Sequence, residues 1–508
     1  MSEPGGIAGS IDWGALAPTL VVVMGAFSVL LMESVVARRP GPAQGTSARL
    51  GSALALVSAA FLVVATIVAV DAFSSGMSRT PTLVAARFVL DPFAAFVIAG
   101  VCSASVVCVL LSLQYLQKFR IQHGEYYALL LLSVAGSTLV VSAVDLLTLF
   151  LGLELMALPA VILAGFDQAR LIGNEAGIKA LFSGAFASAL TLMGVAFLYG
   201  AAGVTDYAAL GEAAVLDTFL GILGFVWIVA GISIRLAAVP FHFSAPDVSE
   251  GAPTPVAAFI AAAVRFAVFA ALARFVLALS ANEIPTVSEI VWALSLLTMV
   301  VGSLMAAVQT RLKRLLAYAG VAYTGFGLGA VMVASAPATT ALLFLLAGFG
   351  VTTLGAFAVT GVLALEGREV DRIEDLSGLA GRRPGLAAAL TLFMFSLSGI
   401  PGTAGFVGRF MLLVEAVHSD EIVWAVAAAL CGVVLLYAFI RIPLAIYAQD
   451  RAGDGGTSPA IRSAEGLALW ICSAVVLGLG LAPNGLDLPG LDWIAFLDWA
   501  ASAAGSLR

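Results

Sequence analysis

The chain has 508 residues, 61% of them hydrophobic and only 11% charged, with a mean hydropathy of +1.07. Soluble domains carry about 25% charged residues, so a water-soluble fold is excluded. The formal net charge of -7 is spread over the segments between apolar runs, with no basic cluster of the kind that binds nucleic acid.

Apolar runs of helical length follow one another from end to end, near 13–35, 50–71, 90–116, 125–143, 146–166, 176–200, 218–240, 253–280, 287–308, 315–335, 338–366, 385–417, 421–448 and 464–482. About 20 such residues cross a hydrocarbon core of about 30 Å as a helix. The runs are continuous rather than alternating, which rules against a β-barrel; only helices then satisfy every backbone group within a segment. The expected fold is therefore all-α, a polytopic transmembrane bundle of about 14 helices. The opening MSEPGGIAGSIDWG lacks a basic region before its first apolar run, so that run is expected to remain in the mature chain. Cys102, Cys108, Cys431 and Cys472 lie inside apolar runs without CxxC or Cys/His spacing, and read as small core residues rather than metal ligands. No GxGxxG or Walker-type loop follows a strand-like run.

Basic residues are distributed unevenly. The segments after odd-numbered runs hold Arg38, Arg39, Arg49, Lys118, Arg120, Arg170, Arg311, Lys313, Arg314, Arg368, Arg372, Arg382, Arg383, Arg451 and Arg462. The opposite side has only Arg79, Arg87, Arg274 and Arg508. The positive-inside rule then places both termini outside.

Two runs carry breaks. GISIRLAAVPFHFSAP has Pro240 at its centre, and SLSGIPGTAGFVGRF has Pro401 flanked by Gly399, Gly402 and Gly405. Proline removes a backbone donor and clashes with the preceding turn. Arg235 precedes the first break whereas Arg409 follows the second, the order that an inverted-topology repeat gives. The chain thus divides into an N-terminal three-helix region (1–124), a first repeat (125–280), a second repeat (281–448), and a C-terminal loop with the last span (449–508).

Charged side chains at membrane depth cost about 2.5–3.5 kcal/mol each on insertion scales, so each is a functional candidate. Glu154 is far from either polar end of its run, and Lys179 sits about one turn inside its own, within snorkelling reach of the interface. The chain has three lysines against twenty-one arginines, so a lysine here suggests a titratable amine. Arg235, Arg265 and Arg409 are flanked by apolar residues and need partners or water; Glu154 is the obvious partner, for Arg235 or Arg265. His242 follows the first break with Asp247 and Glu250 nearby, suited to relaying protons or to an ordinary hydrogen-bonding role. Together these residues suggest a hydrated polar axis along the membrane plane.

The stretch PFHFSAPDVSEGAPTPVAAF closely resembles the broken-helix signature of the subunit N family of bacterial NADH-quinone oxidoreductase, the respiratory complex I. LLTLFLGLELMALPAVIL, QTRLKRLLAYAGVAYTGFGL and LSGIPGTAGFVGRFMLL are similar to the same family in the same order, so the resemblance covers nearly the whole chain. The related M and L subunits and Mrp-type antiporters share the fold but usually differ at the segment reading SEGAP here. The resemblance implies an antiporter-like subunit of the bacterial inner membrane, taking part in proton translocation driven by quinone reduction elsewhere. It implies M-type and K-type membrane-arm neighbours, no cofactor on this chain, and NAD, FMN, iron–sulfur clusters and quinone in the rest of the complex.

By that resemblance Glu154 matches the family's fifth-helix glutamate and Lys179 its sixth-helix lysine. The family usually has lysine at the positions of Arg235, Arg265 and Arg409, and commonly histidine at that of Tyr323. Guanidinium does not deprotonate in proteins. Either the arginines are fixed charges while Glu154, Lys179, His242 and water move protons, or pumping has been lost and the chain is a structural anchor. A cation/proton antiporter or membrane hydrogenase subunit is the alternative from another class.

Overall fold

The computed structural model describes residues 13–37, 43–75, 87–121, 124–213, 215–279, 285–365, 372–448, 463–483 and 496–507. The chain opens with three long helices, α1 (Trp13–Ala37), α2 (Ala43–Ser74) and α3 (Pro92–Lys118). Next come α4 (Gly124–Ser142), α5 (Leu146–Ala164), α6 (Leu171–Ala202), the short α7 (Tyr207–Glu212), α8 (Phe219–Leu236), α9 (Ser244–Gly251), α10 (Thr254–Phe259) and α11 (Arg265–Leu279). Then follow α12 (Pro285–Val308), α13 (Leu312–Val333), α14 (Ala336–Leu365), α15 (Leu379–Arg382), α16 (Pro384–Ser398), α17 (Ala404–His418) and α18 (Ile422–Tyr447). The chain ends with α19 (Ser463–Leu481) and α20 (Phe496–Gly505).

Among the described residues thirteen helices are long and apolar enough to cross a membrane. The remaining expected span, near 385–417, is two 15-residue helices, α16 and α17, joined end to end across the Pro401 break. The sixth span begins at Leu171, earlier than the apolar run near 176 suggests, because Leu171, Ile172 and the small residues after them are helical despite Asn174 and Glu175. This corrects the depth of Lys179, which lies two turns inside its helix rather than one. The amphipathic α20, packed on α3 and α14, was not expected. Arg38, Arg39, Arg368, Arg451 and Arg462 of the basic side, and Arg79 and Arg508 of the other, lie outside the described residues.

Both breaks are built the same way. At the end of α8, Ala237 adopts φ +57° and donates its N–H to Ile234, while Ala238 N–H reaches Ser233 O at 2.8 Å. At the end of α16, Gly399 at φ +76° donates to Ser396, and Ile400 N–H reaches Phe395 O at 3.0 Å. This paired 6→1 and 5→2 bonding is the Schellman stop, which satisfies the last carbonyls and turns the chain aside. A half-helix then resumes in each case, α9 after the first break and α17 after the second. The corresponding loops also match: Asp145, before α5, bridges to Asp206, and Arg311, before α13, bridges to Arg372. Five crossings separate those two bridges, so they lie at opposite ends of the bundle.

Helices pack closely where glycine permits it. A Cβ on Gly136 of α4 would stand 2.2 Å from the backbone nitrogen of Met156 in α5, so no larger residue fits without separating the pair. That contact fixes α5 beside the residue of most interest, Glu154. All four cysteines are buried and free, in keeping with their reading as core residues.

Candidate functional site

Three separate centres gather most of the candidate charged residues. The first begins with Asp145, whose carboxylate accepts from the N–H groups of Leu147 and Thr148 and so fixes the start of α5. Nine residues on, Glu154 meets Arg235, which stands in the last turn of α8. Arg235 Nη2 lies 2.6 Å from Glu154 Oε1 and donates at 3.0 Å to the Ser188 hydroxyl of α6, which is itself 2.5 Å from the same carboxylate oxygen. The guanidinium side chain is 6% exposed and the carboxylate 24%. A cation in the last turn also complements the negative end of the half-helix. The choice left open by sequence is resolved: Glu154 pairs with Arg235, not Arg265. Ser188 was not singled out from sequence, because a serine among small residues carries no signal there.

The second centre joins Lys179 to the first break. Its Nζ lies 2.5 Å from Asp247 Oδ2 of α9 and 2.6 Å from Glu175 Oε1, one turn earlier on α6. Arg314 of α13 bridges Asp247 at 2.7 Å and Glu250 at 2.9 Å, and Arg311 closes on the other oxygen of Glu250. Three cations and three carboxylates thus form one chain, Glu175–Lys179–Asp247–Arg314–Glu250–Arg311, balanced in charge. Two carboxylates meet the Lys179 ammonium where it stands, with the lysine side chain 39% exposed and that of Glu175 60%. Its position and that of Ser188 are nine residues apart on α6, about 13 Å along the axis, so this network and the Glu154 pair lie at different depths. Arg311 and Arg314 read from sequence as loop charges because they sit at the very start of α13.

His242 is buried beside this network without joining its ion pairs. Its ring lies 4.6 Å from that of Phe243 and 6.3 Å from that of Tyr318, and Nδ1 has no partner among the described residues. Asp247 and Glu250, close to His242 in sequence, are instead committed to Lys179, Arg311 and Arg314.

Arg265 follows a π-helical turn, Ile260–Val264, that interrupts the eighth span; such turns locally re-aim a helix. Its guanidinium lies 5.6 Å over the Phe349 ring and against Gly320, where a Cβ would come within 2.1 Å of Nη1. Among the described residues it has no carboxylate partner. Arg265 and Arg235 both line a cavity of about 130 Å³ between α5, α6, α8, α9 and the π turn, together with Ser183, Ser244 and Ser249.

The third centre is Arg409, 7% exposed, on the half-helix after the second break. Its Nε donates to the Tyr323 hydroxyl at 3.1 Å and its Nη atoms reach the carbonyls of Ser398 and Leu397 at the end of α16. Tyr323 in turn donates to Leu397 O at 3.1 Å, and its ring lies 4.8 Å under the guanidinium. Arg409 is held by a helix end and a phenol rather than by a carboxylate. A further buried arginine, Arg274, counted from sequence only among the few basic residues of the outer side, makes a bidentate pair with Asp91 at 2.7 and 2.8 Å, and Asp91 also caps α3 through Ala94 N–H. That pair ties the start of α3 to α11 and is structural.

A model of the family described as NADH:quinone oxidoreductase/Mrp antiporter, TM, matches residues 143–435. Among curated proteins, NADH-quinone oxidoreductase subunit N 1 of Sorangium cellulosum is 36% identical, over 92% of this chain and 96% of its own length. NADH-quinone oxidoreductase subunit N of Maricaulis maris is 34% identical, over 97% and 98%. Among solved structures, a chain of respiratory complex I from Thermus thermophilus with bound aureothin superposes with a TM-score of 0.76 at 27% identity, covering 92% of this chain and 97% of that one. A chain of the Mrp complex from a Dietzia species gives 0.83 at 20% identity, covering 98% of each, which speaks to the fold alone.

Proposed function

The chain belongs to the NADH-quinone oxidoreductase subunit N family, and from that premise we propose that it takes part in proton translocation in the membrane arm of a bacterial respiratory complex I. The observation that carries this reading is the Glu154–Arg235 pair, a titratable carboxylate set against a permanent cation at the end of a broken helix and beside a cavity. Protonating Glu154 dissolves the ion pair and leaves Arg235 to Ser188; deprotonation restores it. A charge change arriving along the bundle therefore couples to proton loading at one oxygen. Glu154, the Ser188 hydroxyl, Lys179, His242 and water carry protons in this reading, while Arg235, Arg265 and Arg409 act as fixed charges. NAD, FMN, iron–sulfur clusters and quinone belong to other subunits.

An antiporter or hydrogenase role is less favoured, since the relatives at 34–36% identity carry the subunit N name, whereas the likeness to the Mrp chain is one of fold. M-type and K-type subunits are the expected neighbours. The outer faces of α5 and α6 are suited to one of them, with Leu151, Leu158, Ile178, Phe182 and Phe186 exposed. We place the chain in the bacterial inner membrane with both termini on the outer side, on the distribution of basic residues.

The test is redox-driven proton uptake by vesicles containing the assembled complex, comparing wild type with Glu154→Gln, Arg235→Lys and Arg409→Lys at matched assembly. Loss of uptake in Glu154→Gln with retention in both lysine variants is expected. Wild-type proton-to-electron ratios in all three variants would sink the pumping role and leave a structural anchor.

A further inference from the structure

We propose that the cavity shared by Arg235 and Arg265 binds a small monovalent inorganic anion, chloride being the abundant cellular candidate. Two arginines, Arg235 and Arg265, line this space, and one carboxylate, Glu154, pairs with the first of them. Arg265 has neither an ion pair nor a hydrogen bond among the described residues, and the Phe349 ring beneath it brings no net charge. Arg235, though paired through Nη2, leaves its buried Nε without a partner among the described residues. Neither arginine can neutralise itself by losing a proton, so the cavity wall carries one uncompensated positive charge at membrane depth, a state that calls for a counter-charge.

The other nearby carboxylates do not supply it. Asp247 and Glu250 lie on α9, which packs on α6 and α13, and both are consumed by Lys179, Arg311 and Arg314. Neither they nor Glu175 line the cavity. The start of α9 does: Ser244 and Ala245 face it, and this helix has no side-chain cap. The Ala245 N–H is donated to His242 O and Pro246 has none, so this helix start contributes only its partial positive charge. The hydroxyls of Ser244 and Ser249 are further donors.

The same features select the class of anion. A surplus of one charge matches a monovalent ion and leaves a divalent one overcompensated. The rest of the wall, including Ala157, Ala160, Ala261 and Val264, is apolar and suits a weakly hydrated ion. The space of about 130 Å³ admits an ion with several waters, since about 15 Å³ suffices for one water. This site stands on charge and geometry and does not depend on whether the chain moves protons.

The experiment uses the purified assembled complex equilibrated with chloride-36 in gluconate buffer, comparing wild type, Arg265→Gln and Arg265→Lys. Wild type is expected to retain one more chloride per complex than Arg265→Gln. Arg265→Lys should retain it at low pH and release it at high pH, because an amine can neutralise itself. Bromide-soaked crystals of the wild-type complex should give an anomalous peak within the cavity, and this arm decides alone should the variants fail to assemble. Equal chloride retention in wild type and Arg265→Gln, or the lack of a bromide peak between the two arginines, overturns the proposal.

Discussion

Removing the carboxylate of Glu154 tests the central pair most directly. The N···O distance is 2.6 Å and Arg235 is only 6% exposed. With charge centres about 4 Å apart and an effective dielectric of about 20, the attraction is about 4 kcal/mol. Truncating one member of a buried pair costs about 3–5 kcal/mol, because the survivor is left without compensation. Glu154 is a quarter exposed and Ser188 still accepts from Arg235 at 3.0 Å, so the lower end applies. We expect Glu154→Gln to cost about 3 kcal/mol. Arg235→Met should cost about 2, since a partly exposed carboxylate is more easily accommodated. The double variant removes both charges and should cost about 2 kcal/mol, against about 5 for the two singles taken independently. The assay is mixed-micelle unfolding of the four proteins, read as a double-mutant cycle. Additivity within about 0.5 kcal/mol would show that the pair is not coupled and refute the reasoning.

Three further outcomes are expected. Gly320→Ala places a Cβ 2.1 Å from Arg265 Nη1; the guanidinium must move, assembly should survive at a cost of about 1–3 kcal/mol, and the proton-to-electron ratio of the assembled complex should fall. An unchanged ratio would remove the position of Arg265 from the mechanism. Arg409→Lys gives up the fork that reaches Leu397, Ser398 and Tyr323 together and should cost about 1.5–3 kcal/mol, whereas Tyr323→Phe should cost about 1. Both are read from the half-life of thermal inactivation, and a wild-type half-life in Arg409→Lys would mean that the fork does not hold the second break. Glu250→Gln leaves Arg311 and Arg314 short of one negative charge in a balanced network, and should lower the amount of assembled subunit in membranes, measured by immunoblotting. Normal abundance would speak against a structural role for that network.

The helical class and the breaks were legible because the bilayer enforces them: continuous apolar runs and proline–glycine interruptions have few other readings. Glu154 and the buried arginines were legible for the same reason, since a charge in such a run stands out. Pairing was not. Glu154 faced two candidate arginines, and only the end of α8, turned aside by the Schellman stop at Ala237, decides for Arg235. Arg311 and Arg314 were hidden by their place at the start of α13, where a charge looks solvated until α9 folds back against it. Lys179 was misjudged in depth because polar residues before it obscured one further helical turn. Arg274 did not stand out as a paired buried charge because its partner, Asp91, lies 183 positions away. The amphipathic α20 gave no apolar run long enough to notice.

Arg235, Arg265 and Arg409 are compensated in three ways, and this bears on what each can do. Arg235 faces a carboxylate, so its surroundings change whenever Glu154 gains or loses a proton. Arg409 faces carbonyls and a phenol, whose charge stays constant, so it anchors the second break whatever the protonation of the chain. Arg265 faces a ring, a glycine and a cavity, leaving its counter-charge to come from outside the protein. A lysine at any of the three positions would become a proton-binding site, but with different consequences. In Arg235→Lys the proton would be shared with Glu154 across a short bond, so pumping should persist while acquiring a new pH dependence. In Arg409→Lys no carboxylate stands opposite among the described residues, and the change should fall on stability first. The same new pH dependence of the proton-to-electron ratio in Arg409→Lys as in Arg235→Lys would contradict this division between a switching charge and an anchoring one.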